Sequence, residues 1–379
     1  MRKTPRPVRS ASSALSDAAG ALAGRSAPKA APRGHSAGVI SPRAARVAVL
    51  AFDDCMASSV TGPLELCAVA NTLVDLTAPH ADTRRLTGEL FTLDGGPVTC
   101  GQGIVLAGGK LKGIPDIVIV PGIWHGSAGG KFRDIGAHYA AQVALLRRLH
   151  DEGAIIAAVC SGTVLLGEAG LLDQRVSTTS WWLGERFRRR YPTTRLALDQ
   201  MVTMDQRVWC AGAATATFNL MLKVIEHFSG PDIAGLVARF MLIDPGRVSQ
   251  APYMLHDFRP VAADPVVARA QKWAGSRLSE PFSLAAMANA AAVSSRTLIR
   301  HFRDATGLTP LAYIQKARVE EAKSLLSTGN LAPEKIVDRV GYADMNSFRR
   351  LFREHTGMTP HDYREKFRVR ARPAQMASA

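Results

Sequence analysis

The chain has 379 residues, with 47 Lys and Arg against 32 Asp and Glu, and a formal net charge of +15 at pH 7. That length predicts two or three domains on a scale of roughly 150 residues each, and 47% apolar residues suffices for real cores, which excludes a wholly disordered chain. Five cysteines with no CxxC pair exclude a disulfide scaffold and a zinc ribbon, and no apolar run nears the roughly 18 residues of a membrane span. The expectation is a soluble, cytoplasmic, basic protein with no metal, no cofactor and no membrane contact.

The charge is uneven. Residues 1–45 hold eight Lys and Arg against one acid, residues 46–264 hold 20 against 21, and residues 265–379 hold 19 against 10, giving +7, −1 and +9. A compact basic segment is a candidate for phosphate contact, because each neutralised phosphate releases a counterion. A solvated basic face is the other reading of charge alone. Residues 1–42 are rich in Ala, Arg, Pro and Ser without an apolar period. They cannot bury enough surface to offset ordering entropy, and a disordered basic tail is expected there. Their composition is near that of an organelle transit peptide, but they lack the apolar region of a secretion signal. A second disordered tail is expected over residues 369–379.

The next region reads as a parallel α/β domain. Arg46 to Phe52, Pro115 to Val120 and Ala154 to Val159 are short apolar runs bounded by turn residues, which suits strands covered on both faces. Between the last two, Tyr139, Val143, Leu146 and Leu149 fall at helical spacing within residues 136–152. Strand, helix, strand makes a right-handed βαβ unit, and ligands in such sheets bind beyond the carboxyl ends of the strands. Cys160 stands at such an end, in Val159-Cys160-Ser161-Gly162-Thr163. A helix N-terminus behind it would favour a thiolate; a small apolar cysteine packed at a strand end is the alternative. Cys55, Cys67, Cys100 and Cys210 have no partner spacing and read as packing residues.

Residues 46–250 resemble the class I glutamine amidotransferase-like, or PfpI-like, domain. The resemblance is carried by Thr61-Gly62-Pro63-Leu64-Glu65, Val120-Pro121-Gly122, the Cys160 turn, and Glu168-Ala169-Gly170-Leu171-Leu172-Asp173 followed by Thr178-Thr179-Ser180-Trp181. It implies a flavodoxin-like sandwich, often dimeric, whose enzymatic members pair the cysteine with a histidine and often a carboxylate. Here Ser180 stands where that histidine is expected and Ser59 where the carboxylate is expected. A nucleophilic thiol needs a partner for its proton, so the two changes point away from catalysis and no catalytic residue is assigned. His125 is the one substitute base in view. The candidate ligand-binding residues are Gly122, Trp124, Cys160, Ser161, Ser180 and Trp181. Trp124, Trp181 and Trp182 could present aromatic faces to a cation, or serve in core packing or a dimer contact.

The last third repeats itself. Residues 300–313 and 350–363 agree at eight of 14 positions at an offset of 50, with Gly307 and Pro310 matching Gly357 and Pro360. A repeat of this period signals a duplicated supersecondary unit, here helix, tight turn, helix. In the first unit Leu284, Met287 and Ala288 face inward, Ser294 is an N-cap, and the second helix runs from about Ser295 to Thr306 with Leu298, Ile299 and Phe302 buried. In the second unit Pro333 opens a helix, Ile336, Val337 and Val340 face inward, and Gly341 makes the turn. Asp344 caps a helix over about Met345 to His355, with Phe348, Leu351 and Phe352 buried. Leu311 to Leu326 is a connecting helix. The second helix of such a unit lies in the major groove of double-stranded DNA. The predicted contacts are Ser295, Arg296, Thr297 and Arg300, then Asn346, Arg349 and Arg350. Arg303 and Arg353 lie deeper and read as phosphate contacts or internal ion pairs.

Residues 265–367 resemble the AraC-type DNA-binding domain, through Val340-Gly341-Tyr342, Ser347-Phe348, Leu351-Phe352 and Gly357-Met358-Thr359-Pro360. Ala292, where the second unit has Gly341, is a departure. The joint architecture resembles the GlxA-like transcription regulators. The expected division is a sensing domain over 43–250, a linker over 251–264 and an all-α double helix-turn-helix domain over 265–368. The resemblance implies an activator that works with RNA polymerase, dimerises through its N-terminal domain and answers a small effector such as an amino acid or amine. A cysteine hydrolase or a redox sensor built on Cys160 is the alternative.

Overall fold

The computed structural model describes residues 44–77, 83–124, 135–254, 264–328 and 331–368. Both expected tails, His125 and most of the expected linker lie outside the described residues. The chain divides into two compact units between Val248 and Ser249.

In the first unit β1 (Ala45–Leu50), β6 (Ile117–Val120) and β7 (Ile155–Val159) are the three predicted strands. Their β-branched residues are almost wholly buried, as a sheet covered on both faces requires. They pair in parallel, with Val47 opposite Ile117 and Val118 opposite Ile156. Four more strands join them: β2 (Leu86–Thr92), β5 (Gly109–Lys110), β10 (Val202–Asp205) and β11 (Val208–Ala211). The seven lie in the order β10-β11-β7-β6-β1-β2-β5. Only the β10–β11 edge pair is antiparallel among these seven. Short ribbons join β3 (Pro97–Thr99) to β4 (Val105–Ala107) and β8 (Val176–Ser177) to β9 (Arg195–Leu196). Helix α1 (Ala57–Leu76) packs with α5 (Ala216–Ser229) and α6 (Pro231–Phe240), and α2 (Ala140–Asp151) packs with α3 (Thr163–Glu168), so helices form two layers around the sheet. Helix α4 (Gly184–Arg190) and one turn at Ile135–His138 complete the described α-helices of this unit. The expected helix over 136–152 is broken at Tyr139, whose ring packs edge-on to Phe52. This is the flavodoxin-like α/β sandwich.

The second unit is all-helical: α7 (Pro265–Gly275), α8 (Leu284–Ala290), α9 (Ser295–Thr306), α10 (Pro310–Thr328), α11 (Pro333–Arg339), α12 (Met345–Thr356) and α13 (Pro360–Phe367). The caps fall where the sequence places them. The Ser294 hydroxyl accepts from Thr297 N at 3.2 Å, and the Asp344 carboxylate accepts from Asn346 N and Ser347 N at 3.2 and 2.7 Å. Leu298 and Phe302 in α9, and Phe348 and Phe352 in α12, are buried, while Ile299 and Leu351 are half-buried. Residues 251–254, expected in the linker, fold onto this unit. The Lys323 ammonium, 1% exposed, pairs with Glu320 at 2.9 Å and donates to the carbonyls of Ala251 and Met254. Tyr253 packs edge-on to Phe367, centroids 5.2 Å apart.

The two turns differ in strain. Gly341 has φ +75°, and a Cβ there would stand 2.4 Å from the Leu278 carbonyl oxygen. Ala292 takes φ +56° with a side chain in place, a conformation that costs a non-glycine residue about 1 kcal/mol. Ala292→Gly is therefore expected to raise the thermal unfolding midpoint of the chain by a few degrees, and Gly341→Ala to lower it by more, in melts followed by circular dichroism.

Candidate ligand pocket and DNA-binding face

The first candidate site lies at the carboxyl ends of β1, β6 and β7. Strand β7 ends at Val159, and a 3₁₀ turn over Cys160–Gly162 leads into α3. Cys160 sits in the left-handed region at φ +57°. The turn closes tightly on β6, because a Cβ on Gly162 would stand 2.2 Å from the Pro121 carbonyl oxygen. The Cys160 carbonyl is held by the hydroxyls of Thr163 at 2.7 Å and Thr179 at 3.1 Å. Thr163 and Thr179 are site residues that sequence reasoning missed. Thr179 lies in the hydroxyl run Thr178-Thr179-Ser180, of which Ser180 alone is a predicted pocket residue.

The Ser180 hydroxyl, fully buried, donates to the Cys160 sulfur at 2.8 Å. The backbone N–H groups of Ser161 and Ala214 also face the sulfur. These donors favour a thiolate, but Cys160 is 4% exposed, and burial outweighs them and raises the thiol above its ordinary range. Of the two readings of Cys160, this burial favours the small cysteine packed at a strand end over the thiolate. Among the described residues no histidine or carboxylate bonds the sulfur.

Each expected pocket residue has a distinct setting. Ser161 is spent on the backbone of Ile123, accepting from its N–H and donating to its carbonyl, both at 2.8 Å. Gly122 lies against Cys160, where a Cβ would meet the Cys160 Cβ and the Met56 sulfur at 3.1 Å. Trp124 is 44% exposed and covers Gly101. Trp181 is half-buried and meets Trp182 edge-on at 5.3 Å. The Ser59 hydroxyl is buried with no hydrogen-bond partner among the described residues. Cys55 and Cys100, read as packing residues, are buried free thiols whose sulfurs come to 3.6 Å. Burial pushes Cys55 up to about 12. The two thiols are 45 residues apart in the chain, a separation that no local spacing records.

The second candidate site is the outer face of α9 and α12. Arg296, Arg300 and Arg303 on α9 are exposed, as are Asn346, Arg349, Arg350 and Arg353 on α12. Ser295 and Thr297 are half-buried, and the Thr297 hydroxyl lies 2.9 Å from the Ser294 hydroxyl. No ion pair occupies any of these six arginines among the described residues. The apolar residues repeat every three to four positions and take the opposite face. A mainly apolar groove of about 840 Å³ beside α12, lined by Leu326, Pro333 and Met345, is edged by Arg349, Arg350 and Glu354. The exposed arginines suit phosphate and base edges. Among the described residues no helix is long and apolar enough to cross a membrane.

Residues 45–227 match the DJ-1/PfpI family, and residues 287–366 match a helix-turn-helix domain. The chain is similar to the HTH-type transcriptional regulator CdhR of Pseudomonas aeruginosa, 28% identical over 283 residues, which cover 72% of this chain and 79% of that protein. It is similar to the HTH-type transcriptional regulator GlxA of Rhizobium meliloti, 28% identical over 234 residues, 59% of this chain and 70% of that protein. The HTH-type transcriptional activator RhaS of Escherichia fergusonii is 36% identical over 79 residues, 21% of this chain and 28% of that protein. The chain is thus a DJ-1/PfpI domain joined to an AraC-type helix-turn-helix domain, and its relatives are GlxA- and CdhR-type HTH transcriptional regulators.

The Cys160 environment makes a direct prediction. Its alkylation by iodoacetamide, followed by mass spectrometry of the Cys160 peptide, should titrate above the ordinary thiol value of about 8.5. Ser180→Ala removes a donor to the thiolate and should move that midpoint higher still.

Proposed function

We propose that the chain is a sequence-specific transcription regulator that reads double-stranded DNA with α9 and α12. Arg296, Thr297 and Arg300, with Ser295 at the helix start, are assigned to one major groove. Asn346, Arg349 and Arg350 are assigned to the next, about one helical turn or roughly 34 Å along the duplex. Arginine suits guanine O6 and N7, and asparagine suits adenine N6 and N7. Arg303 and Arg353 are assigned to phosphate. The observation that carries this reading is the row of exposed arginines, free of ion pairs among the described residues, in matched register on two capped helices.

The α/β unit is assigned the sensing role. Gly122, Cys160, Ser161 and Ser180 form its buried base and Trp124 and Trp181 its more exposed edge, with an amino acid or amine as effector. Catalysis is not part of the role: among the described residues the buried Cys160 thiol is bonded by Ser180 and by no base. An effector that binds one arrangement of the regulator better than another shifts the population that engages DNA. Dimerisation through the α/β unit, activation in concert with RNA polymerase, and a cytoplasmic location complete the reading.

In gel shifts against a duplex selected by the wild-type chain, Arg296→Ala and Asn346→Ala should each weaken binding by about 1–3 kcal/mol. Arg353→Ala should reduce the slope of log affinity against log salt by about one. Unchanged affinity in both of the first two variants would rule out the assigned face. A thermal-shift screen of the full chain against amino acids and amines should give a raised midpoint with a member of that set.

A further inference from the structure

The two helix-turn-helix units do not share a core. One cluster gathers Met287, Leu298, Phe302, Tyr313 and Ile314, and another gathers Val319, Ala322, Ile336, Phe348 and Phe352. Helix α10 alone contributes to both, Tyr313 and Ile314 to the first, Val319 and Ala322 to the second. At 1.5 Å per residue its 19 residues span about 28 Å. Two cores strung on one helix can rock about it unless something else joins them.

Arg318 sits on α10 at the changeover between the two clusters and is only 7% exposed. A buried guanidinium is tolerated when its donors are satisfied. Arg318 Nε donates to the Leu278 carbonyl at 2.9 Å, and Nη2 donates to the Glu280 carbonyl at 2.5 Å. Both carbonyls belong to the loop between α7 and α8, which leads into the first helix-turn-helix. The other side of the guanidinium meets the turn of the second. Its carbon lies 5.2 Å from the centre of the Tyr342 ring, and a Cβ on Gly341 would stand 2.7 Å from Nη2 and 2.4 Å from the Leu278 oxygen. One side chain therefore ties the entry loop of the first helix-turn-helix to the turn that aims α12.

We propose that Arg318 fixes the register between α9 and α12, and so sets the spacing of the two half-sites that the protein accepts. This rests on the DNA-reading assignment above. Arg318 is a positioning residue: it lies between the two cores and acts through the poses of the two helices. Methionine would fill the space but leave the carbonyls of Leu278 and Glu280 unbonded. Lysine would keep the charge but lacks the planar fork that spans both.

The test uses the full chain and a pool of random duplexes about 40 base pairs long, enough for two half-sites a turn apart. The wild type should enrich two half-sites at a single spacing, with about a tenfold or greater affinity loss when one base pair is inserted between them. Arg318→Met should enrich the same half-sites at several spacings, and its loss on insertion should fall to about threefold or less. A single spacing retained by Arg318→Met overturns the proposal. If that variant loses its helical circular dichroism, Arg318→Lys and Tyr342→Leu are assayed in its place, and a single spacing kept by both overturns it equally. A wild-type chain that enriches no sequence at all sinks the DNA-reading assignment instead.

Discussion

The DNA-binding half depends on one arrangement: a long helix whose two ends serve different apolar clusters. Helix α10 enters the first cluster through Tyr313 and Ile314 and the second through Val319, Ala322 and Leu326. Every other helix of this unit takes its place by packing on one cluster or the other. Burial of Phe302 and Phe352 at 0% exposure anchors the inner faces of α9 and α12, and each such aromatic costs several kcal/mol if removed. Because the inner faces are fixed in this way, the outer faces can carry six exposed arginines without disturbing the fold. These arginines, without an ion pair among the described residues, repel one another, and apolar burial on the opposite side is what holds them in place.

The α/β unit follows a different logic. Its sheet is buried on both sides, so the polar groups at the strand ends are few and closely tied. Cys160 is held in a left-handed conformation, its carbonyl bonded by Thr163 and Thr179 and its sulfur by Ser180. Ser161 is committed to Ile123. This is a rigid base of the kind a binding site needs, since ordered groups lose little entropy when a ligand arrives. It is a poor setting for a nucleophile, whose charged form is disfavoured by burial.

The legibility of these features in the sequence follows the range of the interactions behind them. The caps at Ser294 and Asp344, the inward faces of α9 and α12 and the 50-residue repeat rest on contacts within one or two turns, and all are readable directly. Strands β1, β6 and β7 are visible because an unbroken apolar run between turn residues needs cover on both faces, which the middle of a parallel sheet supplies. Strand β2 is not, because Gly88 and Glu89 interrupt its apolar pattern. The meeting of Cys55 with Cys100 and the bridge from Arg318 to Leu278 and Tyr342 depend on tertiary closure. A single arginine in a helical run looks like any solvated charge until the carbonyls it reaches are known. The folding of residues 251–254 onto Lys323 is hidden for the same reason: a Pro-bearing stretch reads as a tether, and only a lysine 69 residues from Met254 shows otherwise.

The duplicated halves have drifted apart where they turn. Ala292 lies exposed at its bend, whereas Gly341 is pressed so closely by Leu278 that no side chain fits. The outer faces differ too, with Thr297 at a position where the other half carries Ser347, and Arg296 where it carries Asn346. Twins that have become unlike, strung in fixed succession along one polypeptide, have a front and a back. A single copy therefore carries polarity, and the stretch of nucleic acid that suits it must run in one direction rather than mirror itself.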